Sequence, residues 1–381
     1  MIKKMTQYLL QRRCTLSLLL MLMLLQPAMA QAQTRIMYAR LDRETQTLTL
    51  YYDTNFDEGN DQGISHSPLW GKLDERKKIK SVVFDESFKD ARPTSCESWF
   101  WCFEALTTIE HLDYLNTSEV KYMTSMFFNS SSLETLDLSS FNTKKVTNMY
   151  DMFNGSTNLR SIKLPKGFIG SSVTYLKAMF NNCTSLTELD LSGSNSENVK
   201  DMSEMFNGCR ALSKLVLTDF KTGQVSTMKS MFCNCSTLET LDVSSFNTEN
   251  VTTMCGMFSH CSSLRSLDLT GFNTANVTDM SSMFKKCSSL RSLDLSSFNT
   301  RKVSDMQSMF EGCTNLESID FSSFDTENMT SMIAMFNSCT KLETLDLSSF
   351  ATPKMVTMST AFGECENLKT IYVSSAFTTD K

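Results

Sequence analysis

Apolar positions return along most of the chain with a constant period. In one representative unit they fall at Met283, Phe284, Cys287 and Leu290, and polar residues separate them. The Phe of this pattern recurs every 26 residues in every interval but one, which is 27 residues long: Phe127, Phe153, Phe180, Phe206, Phe232, Phe258, Phe284, Phe310, Phe336 and Phe362. A period of this length with an L-x-x-L-x-L core indicates a solenoid, in which no unit buries its apolar side alone.

Each unit is predicted to contain two elements. Leu293 and Leu295 alternate around Asp294, which is the period of a strand. The preceding apolar residues are spaced by 3, 3, 1, 3 and 3, which predicts one side of a short helix with Thr278 as its N-cap: Val277, Met280, Met283, Phe284, Cys287 and Leu290. We therefore predict an α/β solenoid, a leucine-rich repeat fold with parallel strands on one face and short helices on the other.

The residues before the repeat predict an N-terminal β cap. Segments 38–41 and 47–52 read as a hairpin, segment 80–84 as a further strand, and 53–68 as an irregular loop. The predicted domains are a signal peptide at 1–30, a cap region at 31–97, a solenoid of about ten units at 98–377 and a tail at 378–381. An extra residue near Pro165 and a missing Phe near Ser194 predict a local bulge between 160 and 200.

The first 30 residues have the pattern of an export signal. Basic residues precede the apolar run 16–25, and Pro27-Ala28-Met29-Ala30 supplies a small-residue cleavage pattern. Cleavage would change the formal net charge from −6 to −10 and leave no transmembrane segment. No basic stripe is present, which argues against a nucleic-acid partner.

The repeat resembles a known family. Its consensus, Met-Phe-x-x-Cys-x-x-Leu-x-x-Leu-Asp-Leu-Ser-Ser-Phe-Asn-Thr-x-x-Val-Thr-Asp-Met, is similar to the BspA-like leucine-rich repeat proteins of bacterial surfaces, also described as DUF285. The resemblance implies a secreted or cell-surface protein that binds host matrix proteins or other bacteria. No lipid-attachment Cys or sorting motif accompanies the repeats, so secretion and surface retention both remain open.

Eight cysteines occupy one column, three residues after each Phe. Because all eight side chains should point into the core, we predict a ladder of reduced thiols rather than disulfides or a metal site. The ladder comprises Cys183, Cys209, Cys235, Cys261, Cys287, Cys313, Cys339 and Cys365.

Beyond the predicted signal peptide, four further cysteines lie outside this column. Cys96 and Cys102 are a possible disulfide in the cap region. Cys233 and Cys255 lie on neighbouring units, and the sequence leaves open whether they pair or remain free thiols.

Aspartates share the strand column between the two inward Leu positions and should stack along an exposed face. One interpretation is a flat polar face that binds a protein partner, with calcium as an option. The other is that each Asp hydrogen-bonds neighbouring Ser and Thr residues and serves only the strand. The candidate partner-binding face comprises Asp190, Asp242, Asp268, Asp294, Asp320 and Asp346.

No catalytic or cofactor motif accompanies the repeat. The three histidines, His66, His111 and His260, are isolated from one another, and no Gly-rich phosphate loop or metal-ligand pattern appears. We therefore expect a non-catalytic protein without cofactors, whose partner is an extracellular or surface protein. The alternatives are a structural spacer or self-associating scaffold, and an accessory glycan-binding protein.

Overall fold

The computed structural model describes residues 34–64 and 73–378 as a solenoid with a β cap at its N-terminal end. Ten isolated parallel bridges run from Ser95 through Tyr122, Asp201 and Asp279 to Thr357, and they join eleven successive coils. We call one such 26-residue turn of the chain a coil. The predicted signal peptide lies outside the described residues.

The cap is built on the predicted hairpin. Strands β1 (Ile36–Asp42) and β2 (Thr47–Asp53) pair antiparallel, and β3 (Asp61–Gly63) adds to the free side of β1. The expected irregular loop therefore contributes a short strand. Strand β4 (Ser81–Phe84) pairs in parallel with β2 and with β5 (Thr108–Glu110), so a five-stranded sheet continues from the cap into the first coils.

The strand segments of later coils are two to four residues long and pair in parallel, as predicted. They are β6 (Thr135–Asp137), β7 (Ser161–Lys163), β8 (Glu188–Asp190), β9 (Lys214–Val216), β10 (Ser292–Leu293), β11 (Ser318–Ile319), β12 (Thr344–Leu347) and β13 (Thr370–Val373). They form four separate two-stranded sheets, β6 with β7, β8 with β9, β10 with β11 and β12 with β13.

The predicted short helix in each coil is wrong. The described residues contain one α-helical turn, α1 (Leu73–Arg76), and two 3₁₀ turns, η1 (Glu86–Asp90) and η2 (Leu112–Tyr114), all before the second bridge residue. The segment from Met280 to Cys287 instead forms consecutive β-turns. Ser282 and Lys286, the third residues of the turns that begin at Met280 and Phe284, both have φ of 56°, the left-handed value of a type II turn.

Hydrogen bonds between coils replace those of a helix. Met283 N donates to Met280 O at 3.2 Å within the turn, whereas Ser282 N donates to Gln307 O in the next coil at 2.8 Å. Phe284 N donates to Met309 O, again in the next coil, at 2.9 Å. Every second amide in this segment thus donates to the next coil, parallel to the solenoid axis. We call the stacked segments equivalent to residues 280–287 the turn ladder.

The turn ladder and the strand segments enclose one continuous core. The Phe of the ladder stacks on its equivalent in the next coil, with Phe258 and Phe284 at 5.8 Å and Phe284 and Phe310 at 5.6 Å between ring centroids. The Met columns are buried, as predicted; Met280 and Met283 are fully inaccessible. Each coil therefore covers the apolar side of its neighbours.

The Asn-Thr column links the coils at a corner. Buried Thr300 donates through Oγ1 to Asp325 O and accepts from Asp325 N, both at 2.9 Å. Asn299 accepts the Arg301 amide on Oδ1 at 3.2 Å. Because an unpaired buried amide or carbonyl is costly, these side chains stabilise a corner that has no regular backbone ladder.

Two glycines lie close together between 160 and 200, where the sequence predicts a local bulge. Gly167 and Gly193 each have φ of 71°, and a Cβ on Gly167 would lie 3.0 Å from Gly193 O. Two glycines therefore allow the backbones of adjacent coils to approach where the extra residue is accommodated.

Candidate partner-binding face

The strand face consists of the outward positions of the strand segments, which are Arg291, Ser292, Asp294 and Ser296 in their coil. All four are exposed, while Leu293 and Leu295 between them are buried. The six predicted aspartates are all exposed on this face. The alternation of the sequence therefore places them together, one on each of six coils.

A hydrogen bond fixes each aspartate. Asp294 accepts the Ser296 amide on Oδ1 at 3.0 Å, and Asp268 accepts the Thr270 amide at 3.0 Å. The same bond, to the amide two residues on, is made by Asp190, Asp242, Asp320 and Asp346. The Asp side chains thus turn the backbone after the strand segments, and at the equivalent position in the coils of Asp242 and Asp268, where no strand is formed. This is the structural role that the sequence left open.

In Asp242 and Asp294 these hydrogen bonds also favour the charged carboxylate. The Ser296 side chain and amide lower the pKa of Asp294, and the Ser244 pair does the same for Asp242. The charge of Asp268 acts in the opposite direction on both groups, but the pKa still falls. Repulsion between neighbouring coils is therefore present and smaller than the hydrogen bonding that offsets it.

The aspartate column is interrupted in the N-terminal coils. Lys163 and Val216 occupy it on either side of Asp190, as the strand registers show. Lys163 pairs with Asp137 at 3.1 Å. The uninterrupted acidic row therefore begins at Asp242 and continues through the next four coils to Asp346. Aligning the repeat units by sequence also shows Lys163 and Val216 in the aspartate column, so the interruption could have been predicted.

Charges beside the acidic row are paired between coils. Arg265 lies 3.3 Å from Glu239, and Lys369 lies 3.0 Å from Glu343. These pairs are exposed and contribute little to stability. Their opposite charges offset each other, so the net charge of the strand face comes mainly from the aspartates.

The cysteine column lies beneath the turn ladder. The seven cysteines from Cys183 to Cys339 are buried, whereas Cys365 in the last coil is half-buried. Burial is the main cause that raises the pKa of these thiols, to about 12 for Cys209 and Cys313.

The thiols also make a hydrogen bond that the sequence did not reveal. Cys287 Sγ donates to Phe258 O in the preceding coil at 3.0 Å, and Cys313 Sγ donates to Phe284 O at 3.1 Å. Serine replaces cysteine in the two coils before Cys183. There Ser130 Oγ donates to Phe100 O and Ser156 Oγ donates to Phe127 O, both at 2.9 Å. The column thus requires a small donor, which explains why Ser and Cys share it.

The remaining cysteines are free in the structure. Cys96 and Cys102, the possible disulfide, are separate buried thiols, and Cys102 has φ of 58°. Cys233 and Cys255 are half-buried free thiols on adjacent coils. Cys255 Sγ lies 3.2 Å from Ser281 Oγ, so that thiol has a polar partner.

Across the described ranges, no three His, Cys, Asp or Glu side chains are grouped so as to hold a metal ion. Within residues 34–64 and 73–378, no helix has the length and apolar character needed to cross a bilayer. His66 lies outside the described residues. The sequence predicts an isolated His260, but this residue lies beside Lys286 in a groove over the cysteine column. The residues that flank each column Cys are the sequence signal for this groove.

The sequence profile of the family described as "Mycoplasma protein of unknown function, DUF285" matches residues 94–216, 211–294 and 291–376. These segments cover nearly all of the solenoid. The chain belongs to the DUF285 family. No curated protein matches it.

Solved structures similar to this DUF285 chain are leucine-rich repeat proteins. A Bacteroides ovatus leucine-rich repeat protein is 16% identical over 90% of this chain and 88% of that one, with a TM-score of 0.39. A leucine-rich cell surface protein from Faecalibacterium prausnitzii is 14% identical over 91% and 96% of the two chains, with a TM-score of 0.28. A Leptospira interrogans leucine-rich repeat protein is 13% identical over 81% of each, with a TM-score of 0.27.

Proposed function

We propose that this DUF285 chain is an exported, non-catalytic adhesion protein that holds a basic surface of an extracellular protein against its strand face. The observation that carries the proposal is the uninterrupted acidic row from Asp242 to Asp346, exposed on five successive coils. A host matrix protein or a protein on another bacterium is the class of partner that membership of the family favours.

The fold supports a rigid display of this row. Each carboxylate is held by the amide two residues on, as in Asp268 and Asp320, so little side-chain freedom remains to be lost on binding. Inter-coil hydrogen bonds fix the spacing of the row at about 4.8 Å per coil. Pre-organised charges of one sign speed association and select complementary partners.

The test removes negative charge from the acidic row and keeps the side-chain oxygens that accept the backbone amides. A triple variant, Asp268→Asn, Asp294→Asn and Asp320→Asn, removes three charges but retains a carbonyl oxygen that can accept each backbone amide. We expect binding to a panel of immobilised matrix proteins to weaken at least tenfold, with an unchanged unfolding midpoint. Binding should also weaken as salt increases, because the interacting charges are exposed.

A matched control comes from another side of the coil. Asp201, Asp279 and Asp305 accept the amide two residues on at 2.8, 2.9 and 2.8 Å, in the same way as the acidic row, but lie in the bridge column. Their Asp→Asn triple variant makes the same charge change. Equal loss of binding in both triple variants would show that net charge, and not the strand face, holds the partner.

A further inference from the structure

A groove follows the cysteine column along six coils, on a different side from the acidic row. Its volume is about 570 Å³. In the four central coils it lies between the residue before the buried cysteine and the residue after it, as with His260 and Ser262 on either side of Cys261. Arg210 and Ser338 line its two ends. The first set comprises Asn234, His260, Lys286, Gly312 and Ser338, and the second comprises Arg210, Ser236, Ser262, Ser288 and Thr314.

Turn geometry shapes the groove. His260 and Lys286 have φ of 61° and 56°, and Gly312 has φ of 74° at the equivalent position. Gly312 has no side chain there, and a Cβ would lie 2.9 Å from Lys286 Cγ. The glycine therefore leaves space over which the Lys286 side chain extends.

One wall of the groove presents hydrogen-bond acceptors at regular intervals. Ser236, Ser262 and Ser288 each donate their hydroxyl proton to a carbonyl of the preceding coil at 3.3 Å. Since a hydroxyl has one proton and two lone pairs, these oxygens can only accept from a ligand. Hydroxyl acceptors therefore recur at about 4.8 Å, the spacing of the coils.

Both walls carry positive charge. Lys286 is exposed on the wall opposite the serines, and Arg210 is exposed at the end of the serine wall. Glu311 is paired with Lys285 at 2.9 Å, so its charge is offset. His260, half-buried near Lys286 and Glu311, adds a ring nitrogen that can donate. This concentration of cations contrasts with the net charge of −6 for the whole chain.

We propose that this groove binds a linear anionic oligosaccharide. Its sugar hydroxyls would donate to Ser236, Ser262 and Ser288, and its carboxylate or sulfate groups would accept from Lys286 and Arg210. A linked pyranose is close in length to one coil, so successive sugars can meet successive coils. An extended peptide presents same-side groups every ~6.6 Å, which falls out of register with the coils.

The test measures binding of four hexamers by isothermal titration calorimetry: an oligogalacturonate, a heparin-derived oligosaccharide, a neutral malto-oligosaccharide and hexaglutamate. We expect the oligogalacturonate or the heparin fragment to bind at least tenfold more tightly than the neutral sugar and the peptide. Which of the two binds distinguishes carboxylate from sulfate recognition. The Arg210→Ala, Lys286→Ala double variant should weaken that binding at least tenfold.

Two further variants separate the groove from general electrostatics. Ser262→Trp obstructs the groove without changing charge and should abolish binding. The Arg301→Ala, Lys302→Ala double variant also removes two positive charges, but at the Asn-Thr corner, and should leave binding unchanged. The proposal is overturned if neither anionic sugar outcompetes the neutral hexamer, if hexaglutamate binds equally well, or if the corner variant loses as much affinity as the groove variant. Binding to matrix proteins through the strand face is measured separately, so either proposal can fail alone.

Discussion

Replacing Cys287 by Ala or by Ser separates two roles of the cysteine column, as a hydrogen-bond donor and as a small apolar residue. Cys287 is fully buried, and its Sγ donates to Phe258 O at 3.0 Å. Alanine removes both the donor and the buried sulfur. Serine keeps a donor in the geometry that Ser130 and Ser156 already use, with oxygen distances of 2.9 Å to Phe100 O and Phe127 O.

The magnitude follows from these contacts. Loss of a neutral hydrogen bond costs about 0.5–1.5 kcal/mol, and loss of the buried sulfur costs roughly as much as one methylene, ~0.8 kcal/mol. Phe258 O still accepts the Cys261 amide at 3.1 Å, so it is not left unpaired. We expect Cys287→Ala to destabilise by about 2 kcal/mol and Cys287→Ser by about half as much.

Urea unfolding followed by circular dichroism measures the difference, provided that the dependence of the unfolding free energy on urea is the same for all variants. Ser130→Ala and Ser130→Cys are the matched pair in an early coil, where Cys should be tolerated better than Ala. If Cys287→Ser proved as unstable as Cys287→Ala, the thiol would act only as an apolar filler. Such a result would refute a stabilising hydrogen bond from Cys287 Sγ to Phe258 O.

Three further predictions follow from the same structure. Alkylation of the folded protein should modify the half-buried Cys233 and Cys255 first. The seven buried column cysteines should react only on unfolding. Rapid modification of Cys287 in the folded protein would contradict its burial. Ala334 has φ of 51°, so Ala334→Gly should stabilise by about 1 kcal/mol in thermal unfolding, whereas Ala275→Gly, at a residue without positive φ, should not. Hydrogen bonds from the Ser139 side chain and amide, followed by Lys163, lower the pKa of Asp137 from 3.8 to about 2. Because the folded-state pKa is depressed, the stabilisation of the fold by charged Asp137 is present above pH 3.8 and is lost as pH falls toward 2. The Asp137→Asn variant should therefore lose less unfolding free energy than the wild type over that pH range.

The sequence determined the period, the family and the identity of the buried columns. A 26-residue repeat of Leu, Met, Phe and Cys can be buried only by stacking, so Met280, Phe284 and Leu293 were assigned to the core without knowledge of the backbone. Alternation around Asp294 likewise placed the aspartates on an exposed face. These conclusions depend on side-chain types that recur in many units, so a departure in one unit does not change them.

Tertiary structure alone decided the form of the return segment and the position of the groove. The spacing of 3, 3, 1, 3 and 3 fits a helix and also fits consecutive turns. The choice depends on amides such as Ser282 N, which bonds Gln307 O at 2.8 Å in the next coil and not a carbonyl four residues earlier. Left-handed residues such as Ser282 and Lys286 are stabilised by that neighbouring coil. Because those partners lie about 25 residues away in the chain, no local pattern contains them, and the groove that the turns create was equally hidden.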